Sequence, residues 1–395
     1  MPADHAPPHA AARAAVRALA ASRIREVANE GMGDPGVLPF WFGEPDEVTP
    51  EFIRAAAVAS LARGETFYAQ NFGIPPLRDA IAAYVSALHR PTAAASVAVT
   101  ASGMSALMLV VEALVAPGDR VVAVTPLWPN LVEIPKILSG TVECVPLAFG
   151  AGRWRLDLDR LLAALTPGTR MALVNSPNNP TGWTATRAEQ QAILDHCRRH
   201  GIWLVADDVY ERLYYRDDAR AAPSFLDLAD PDERVVSVNS FSKSWLMTGW
   251  RLGWLVAPAA LMEDVGKLIE YNTSCSPAFV QQAGLAAIAH GEPTVARTRE
   301  RFRRARDFLV GALGALPGVE VAAPPGAMYA FFRVDGLADS LAFCKRLVRE
   351  ARLGLAPGSA FGPEGEGCVR WCFAADEARL ADGVARLAAH LPGVR

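Results

Sequence analysis

The amino-acid sequence predicts an α/β protein with a mainly parallel sheet in a large domain and a smaller α+β domain. Between about residues 49 and 289, short apolar stretches alternate with longer helical stretches, and polar motifs follow the apolar stretches. This alternation is typical of parallel sheets, whose ligands bind beyond the carboxyl ends of the strands. From about residue 319 the pattern changes to that of an α+β domain.

Composition limits the classes of protein to which the chain can belong. A length of 395 residues suffices for one large or two medium domains. The net charge of -3, without a basic run or an acidic tail, gives no indication of a nucleic-acid or membrane partner. The six cysteines form no Cys-x-x-Cys pair, so free thiols in a reducing compartment are expected. We therefore expect a cytoplasmic protein.

The chain is expected to divide into four segments. Residues 1–20 are predicted to be a tail or a frayed helix, and two arginines in this alanine-rich stretch argue against a signal peptide. Residues 21–48 are expected to join the small domain, which residues 290–395 form. Residues 49–289 are predicted to form the large domain.

Strands and helices are predicted in alternation through the large domain. The strands are at residues 97–100, 121–124, 142–147, 171–175, 202–206 and 235–238. The helices end near residues 63, 89, 115, 165, 200 and 289. Thr49 is a predicted N-cap, and Thr186 with Glu189 a predicted capping box. His196 and His200 lie four residues apart on one helix, but without a third ligand we expect no metal site.

Glycine ends one apolar run before the large domain begins. Gly43 follows residues 37–42, and a glycine at the end of a strand lets a ligand approach the backbone. An ordinary turn is the alternative. Trp41 and Phe42 beside it are candidates for a pocket wall.

A small-residue turn follows the strand at residues 97–100. Ser102, Gly103 and Met104 stand between this strand and an apolar helix. The free N–H groups and the dipole at the start of a helix favour an anion such as phosphate. Such a turn is weak evidence when taken alone.

An acidic residue ends the strand at residues 202–206. Asp207 stands at its carboxyl end, with Tyr210 three residues later. A carboxylate at the end of a buried strand is costly unless a cation pairs with it. A cationic ligand is therefore expected here.

Lysine is rare in this chain, and one lysine stands in an apolar setting. Lys243 is one of only four lysines, and Ser, Phe, Trp and Met surround it in the sequence. Desolvation would depress its pKa and leave a free amine that attacks carbonyl groups. A surface lysine is the alternative, but Ser240 and the Gly-x-Arg-x-Gly run around Arg251 favour a site that also grips an anion.

The small domain contains an arginine within an apolar strand. Strands are predicted near residues 319–322, 327–333 and 368–373, and Arg370 lies in the last. A buried arginine requires an anion, either a ligand or the partner in a structural salt bridge.

Together these motifs resemble the pyridoxal-phosphate (PLP) enzymes of the aspartate-aminotransferase superfamily, the class I and II aminotransferases of fold type I. The resemblance is carried by Ser240-x-Ser-Lys243, by Arg251 and by the Asn178-Asn179-Pro-Thr-Gly turn, and covers about residues 20–390. It implies a large domain with a sheet of the seven-stranded type, a smaller α+β domain and PLP as the cofactor.

The resemblance also implies roles for individual residues. Lys243 would carry the cofactor aldimine and move protons, Asp207 would pair with the pyridine nitrogen, and Tyr210 would hydrogen-bond O3′. The other residues that would bind the cofactor are Ser102, Gly103, Met104, Trp128, Asn179, Ser240, Arg251 and Tyr68, the last across the interface of a homodimer. The residues that would bind the substrate are Gly43, Trp41, Asn179 and Arg370, with Arg370 on the carboxylate.

The reaction implied is transfer of an amino group from an L-amino acid to a 2-oxo acid. Met104 stands where some relatives specific for dicarboxylates carry a lysine, so an apolar or aromatic substrate is favoured. A PLP-dependent carbon–sulfur lyase or a decarboxylase on the same fold is the first alternative. A PLP-sensing DNA-binding regulator is a remote one, because only about 20 residues precede the resembling region. No Gly-x-Gly-x-x-Gly follows the first strand, which argues against a nicotinamide enzyme.

Overall fold

The computed structural model describes residues 12–391. The prediction for residues 1–11 therefore lies outside the described residues, whereas a short helix forms within the rest of the predicted tail. The helices are α1 (Ala14–Arg17), α2 (Arg23–Ala28), α3 (Glu51–Ala62), α4 (Pro75–Leu88), α5 (Gly103–Leu114), α6 (Pro129–Ile137), α7 (Leu158–Ala164), α8 (Arg187–His200), α9 (Ala259–Asn272), α10 (Ala278–His290), α11 (Glu292–Gly314), α12 (Ser340–Arg346) and α13 (Glu377–Ala388). The strands are β1 (Leu38–Pro39), β2 (Val97–Thr100), β3 (Arg120–Thr125), β4 (Thr141–Pro146), β5 (Ala148–Gly150), β6 (Arg153–Arg155), β7 (Thr169–Asn175), β8 (Trp203–Asp207), β9 (Val235–Ser240), β10 (Gly253–Val256), β11 (Val319–Val321), β12 (Tyr329–Val334), β13 (Leu353–Gly354), β14 (Ala356–Pro357) and β15 (Cys368–Cys372).

A seven-stranded sheet forms the centre of the molecule, in the order β2-β10-β9-β8-β7-β3-β4. The strands from β9 to β4 are parallel to their neighbours, and β10 is antiparallel to both β9 and β2. All strands except β10 therefore end at the same edge of the sheet. The predicted α/β fold with a mainly parallel sheet is confirmed.

Both faces of this sheet are covered. On β3, Val121 belongs to a core with α5 and α9, whereas Val122 belongs to a different core with α7 and α8. Successive side chains of a strand point to opposite faces, so two cores require strands that are apolar throughout. This is why the strands appear in the sequence as continuous apolar runs.

A second, antiparallel sheet has the order β11-β12-β15-β14. The N-terminal segment adds to this part of the molecule, because β1 pairs in parallel with β13 through Leu38 and Leu353. The exact division of the chain at residues 49 and 290 remains a prediction.

The structure confirms one predicted helix start and corrects another. Thr186 and Glu189 form the predicted capping box of α8. Thr49 is not an N-cap, because Pro50 takes that position in α3. The Thr49 hydroxyl instead donates to the carbonyl oxygen of Leu246 at 2.5 Å, and so ties the start of the large domain to the segment after Lys243.

Candidate active site

A cavity of about 480 Å³ lies where the carboxyl ends of the central strands face the small domain. The predicted site residues that line it are Gly43, Gly103, Met104, Trp128, Asn179, Asp207, Tyr210, Ser240, Lys243, Arg251 and Arg370. They come from loops far apart in the sequence, because parallel strands bring their carboxyl ends to one edge.

Lys243 reaches into the cavity shortly after β9 ends. Its ammonium nitrogen Nζ contacts the carbonyl oxygen of Gly43 and lies 5.9 Å from the centre of the Tyr210 ring. Burial lowers the pKa of Lys243 to about 8, and the nearby charges of Arg370 and Arg251 act in the same direction. Near neutral pH, the unprotonated, nucleophilic fraction of the amine is therefore far larger than that of an ordinary lysine, although most of it stays protonated.

Asp207 is the last residue of β8 and is almost fully buried. Burial raises the pKa of its carboxyl group to about 7, although the Val209 N–H and the charge of Lys243 oppose the shift. The Val209 N–H donates to Oδ1 at 3.3 Å. A cation inside the cavity would lower this pKa and hold the carboxylate in its charged form.

One side of the cavity is built to accept an anion. Gly103 and Met104 open α5, and the first N–H groups of a helix have no acceptor within it. Ser240 ends the neighbouring strand β9, and Arg251 adds a positive charge from the loop before β10. Arg251 has a φ of 54° and donates from Nη1 to the carbonyl oxygen of Thr248 at 2.7 Å.

Gly253 allows the start of α5 to lie against β10. A Cβ atom at this position would lie 2.3 Å from the backbone nitrogen of Gly103. The start of α5 can therefore lie against β10 only if residue 253 is glycine.

Arg370 faces the same cavity from β15 of the small domain and is only 2% exposed. Its Nη1 donates to Oδ1 of Asn179 at 3.0 Å, and its Nη2 donates to the carbonyl oxygen of Trp41. The rings of Tyr329 and Phe361 lie 4.5 and 4.8 Å from the guanidinium. Within residues 12–391 no carboxylate pairs with Arg370 and its Nε has no hydrogen-bond partner, so it can bind a carboxylate ligand.

Tyr329 and Asn175 are among the cavity residues that were not predicted, and both make hydrogen bonds to predicted site residues. The hydroxyl groups of Tyr329 and Tyr210 lie 2.7 Å apart. A Cβ atom at residue 43 would lie 1.9 Å from the Tyr329 oxygen, so Gly43 makes room for this contact. Asn175 accepts from the backbone N–H of Asn179 at 2.7 Å and donates to the carbonyl oxygen of Asp207 at 3.0 Å. Its position at the end of β7 was the available signal.

Three predicted site residues lie outside the cavity wall. The ring of Trp41 is buried against Gly354, and only its carbonyl group reaches Arg370, whereas the neighbouring Phe42 does line the cavity. Ser102 acts as the N-cap of α5 and accepts from the N–H of Ser105 at 3.0 Å. Tyr68 is 90% exposed on the surface.

Other kinds of site have no support within residues 12–391. No group of three or more His, Cys, Asp or Glu residues there could hold a metal ion. His196 is engaged with the carbonyl oxygen of Leu165 at 2.7 Å. All six cysteines are free thiols. None of the helices in this range is both long enough and apolar enough to cross a membrane.

Comparison with known proteins shows similarity over nearly the whole chain. The family described as aminotransferase class I and II matches residues 37–387. The chain is 33% identical over 376 residues to an aspartate aminotransferase of Pyrococcus horikoshii, covering 94% of this chain and 95% of that protein. It is 35% identical over 335 residues to an arginine–pyruvate transaminase of Pseudomonas aeruginosa, covering 83% of each.

A solved structure shows the same likeness in three dimensions. Aspartate aminotransferase from Thermus thermophilus with maleate superimposes with a TM-score of 0.88 at 31% identity. The match covers 96% of this chain and 100% of that one.

Proposed function

This chain belongs to the class I and II aminotransferases, and from that premise we propose the roles of its own residues. The protein is a PLP-dependent aminotransferase, as its family and relatives indicate. The observation that carries the assignment of residues is that Lys243, Asp207 and Arg370 line one cavity.

The residues of the cavity fit PLP chemically. Asp207 is a buried carboxyl group that needs a cation, which a protonated pyridine nitrogen provides. The start of α5, Ser240 and Arg251 line the cavity together, and their N–H groups, hydroxyl group and guanidinium are donors that suit a phosphate group. Lys243 offers an amine of lowered pKa to an aldehyde. When bound, PLP supplies an electron sink that stabilises negative charge at the substrate's Cα.

We assign binding of the cofactor to both sides of this cavity. Lys243 would hold the aldehyde carbon through Nζ, and Asp207 would keep the ring nitrogen protonated. Tyr210 and Asn179 would donate hydrogen bonds to the ring oxygen, and Trp128 would pack against the ring. Gly103, Met104, Ser240 and Arg251 would hold the phosphate, and Ser102 would order the start of α5 as its N-cap.

Arg370 is proposed to bind the carboxylate of the amino acid. Asn179, which accepts from Arg370 Nη1 at 3.0 Å, fixes the plane of the guanidinium. A carboxylate bound there would orient the Cα–H bond toward Lys243, whose Nζ would accept the proton after the substrate's amino group has displaced it from the cofactor. Gly43 keeps this side open, and Trp41 contributes only its carbonyl group.

The substrate is proposed to carry an apolar or aromatic side chain. Met104, Leu107, Ile24 and Phe42 line the cavity and offer apolar surface against which a substrate side chain could pack. Arg25 and Glu44 also line it, and the Arg25 guanidinium lies 4.6 Å from the centre of the Phe42 ring. Because these two charges are of opposite sign, they do not favour a substrate of either charge.

Absorption spectra of the holoenzyme test this function. Added leucine, methionine or phenylalanine should convert the visible band of the bound cofactor to the pyridoxamine form, and a 2-oxo acid should restore it. Conversion by aspartate alone would refute the apolar substrate. Release of pyruvate and ammonia from cystathionine without an amino acceptor would favour the carbon–sulfur lyase.

We propose further that the enzyme is a cytoplasmic homodimer in which Tyr68 reaches the phosphate site of the partner subunit. Phe67, Tyr68 and Tyr271 are each at least 85% exposed, and large exposed aromatic residues are typical of protein interfaces. Free thiols support a reducing compartment. Sedimentation should give twice the mass of one chain, and Tyr68→Phe should release the cofactor more readily than wild type.

A further inference from the structure

A second cavity adjoins the active-site cavity. It has a volume of about 760 Å³, against about 480 Å³ for the first. Ser22, Met104 and Asn130 line both cavities, so these residues form the wall between them. The cofactor and the substrate's carboxylate must share the smaller space, and a long substrate side chain needs further room.

Met104 and Asn130, which separate the two cavities, make only a weak contact with each other. Nδ2 of Asn130 lies 3.4 Å from Sδ of Met104, and a thioether sulfur is a poor acceptor. Methionine has three rotatable bonds and no branch, so its side chain can turn aside at low cost. Both residues are only partly buried, which leaves them space to move.

The lining of the second cavity favours an uncharged side chain. Met108, Leu127, Ile134 and Phe361 give it an apolar wall. The charges at its rim neutralise each other in part, because Lys136 Nζ lies 2.6 Å from Oε1 of Glu133. Arg23 also lines this cavity but is exposed to solvent, so a charged side chain buried against the apolar wall would lose its hydration without a partner there.

The N-terminal segment covers this cavity. Residues 19–23 line it, and the N–H of Ala20 donates to Oε2 of Glu133 at 3.4 Å. The segment then continues into α2, whose Ile24 and Arg25 line the active-site cavity. One stretch of chain therefore covers both spaces.

We propose that the second cavity receives the far end of a long, uncharged, apolar side chain of the substrate, which passes between Met104 and Asn130. This inference rests on the aminotransferase function proposed above. It narrows the substrate class to amino acids and 2-oxo acids whose side chain is an extended aliphatic chain.

The first experiment compares alanine with 2-aminooctanoate in the half-reaction of the holoenzyme. Cys144 lines only the second cavity and is exposed on the edge strand β4, so Cys144→Trp fills that space without touching the first. We expect kcat/KM for 2-aminooctanoate to fall by roughly tenfold or more and that for alanine to change less than about twofold. Thr141→Trp is the matched control, because Thr141 is exposed on the same strand and lines neither cavity.

A second variant widens the passage between the two cavities. It also tests the proposal if Cys144→Trp fails to fold. Met104→Ala removes the side chain between the cavities, so the ratio of kcat/KM for 2-aminooctanoate to that for alanine should rise at least about threefold. Because a ratio is compared, any general effect of this position on the cofactor cancels.

Occupancy can also be measured without turnover. The Cys144 thiol should react with N-ethylmaleimide in the holoenzyme, and mass spectrometry of peptides distinguishes it from the other five cysteines. Saturating 2-oxooctanoate should slow this alkylation several-fold, whereas saturating pyruvate should not. Thr141→Trp should show the same protection as wild type.

The outcomes separate this inference from the function on which it rests. If no amino acid changes the cofactor spectrum, the proposed function fails. If alanine reacts but 2-aminooctanoate is no better, the inference is overturned. It is overturned equally if Cys144→Trp affects both substrates alike, if Met104→Ala leaves the ratio unchanged, or if 2-oxooctanoate does not protect Cys144.

Discussion

Asp207 and Asp208 are neighbours in the sequence, and their surroundings differ completely. Both are buried, and burial raises the pKa of each to about 7. Asp208 accepts hydrogen bonds from the hydroxyl groups of Ser224 at 3.0 Å and Ser237 at 2.6 Å. Asp207 lines the active-site cavity and accepts one long bond, from the Val209 N–H.

The same contrast extends to the charges around each residue. Beyond Asp208, the imidazole of His89 bridges two carboxylates, 2.8 Å from Asp227 and 3.0 Å from Glu211. In the cavity, Lys243 and Arg370 have no carboxylate partner within the described residues. Buried charges that are satisfied by the protein support the fold, whereas those left without a partner are available to a ligand.

Lys243→Ala should reduce activity more than any other variant. Transamination should fall by roughly 10⁴-fold, because both the attachment point and the base are removed. The visible absorption band of the bound cofactor should disappear as well. Lys267→Ala provides the control, since Lys267 is an exposed lysine on α9. A variant at residue 243 that kept both band and activity would contradict the assignment.

The next effect separates the two aspartates directly. Asp207→Asn should lower kcat by roughly 10³-fold, because the amide cannot hold a proton on the pyridine nitrogen. Asp208→Asn should instead lower the free energy of unfolding by about 1–2 kcal/mol and leave the cofactor spectrum unchanged. Steady-state kinetics and urea unfolding of both variants measure the contrast. Equal losses of activity would remove the distinction between the two regions.

The pH dependence of the unfolding free energy tests the ion pairs that His89 makes with Asp227 and Glu211. Burial alone would lower the pKa of His89, but its bonds to Asp227 and Glu211 and their charges raise it to about 10. Because the folded pKa lies above the ordinary 6.5, the stabilisation is complete below about pH 6.5 and is lost as the pH rises through about 10.

We therefore expect His89→Gln to cost roughly 3 kcal/mol of unfolding free energy at pH 6 and much less at pH 10. Denaturant unfolding at the two pH values measures this difference. His290→Gln, at an exposed histidine, is the control and should not show this loss. A loss for His89→Gln that did not change with pH would show that the network does not depend on a charged imidazole.

The smallest loss of activity is expected for Tyr329, whose hydroxyl group pairs with that of Tyr210 at the edge of the cavity. Tyr329→Phe removes the hydroxyl group that lies 2.7 Å from that of Tyr210. We expect about 1 kcal/mol of lost transition-state stabilisation, or roughly fivefold in kcat/KM, with little change in stability. Tyr215→Phe is a comparison variant, because the Tyr215 hydroxyl donates to the carbonyl oxygen of Ala327 away from the cavity. It should cost stability rather than activity.

Sequence patterns predicted most of the fold because the determinants of the large sheet are local. The apolar runs that became β3, β7, β8 and β9 are each continuous in sequence, since both faces of the sheet are buried. The glycine-rich and Asn-Pro turns that follow strands are equally local signals. Thr49 was misassigned because its hydroxyl group has a nearer partner in Leu246, almost 200 residues later.

The fold class, most of the alternating strands and helices of the large domain and the residue types at the strand ends follow from the sequence alone, whereas β10, α6 and α9 were not predicted. Which of those side chains meet depends on the folded chain. It placed the Tyr329 hydroxyl on Tyr210, buried the ring of Trp41 while exposing Phe42 to the cavity, and opened a second cavity behind Met104. The reason is physical: contacts across two domains depend on how separate cores pack together, and no periodicity within one segment encodes that geometry.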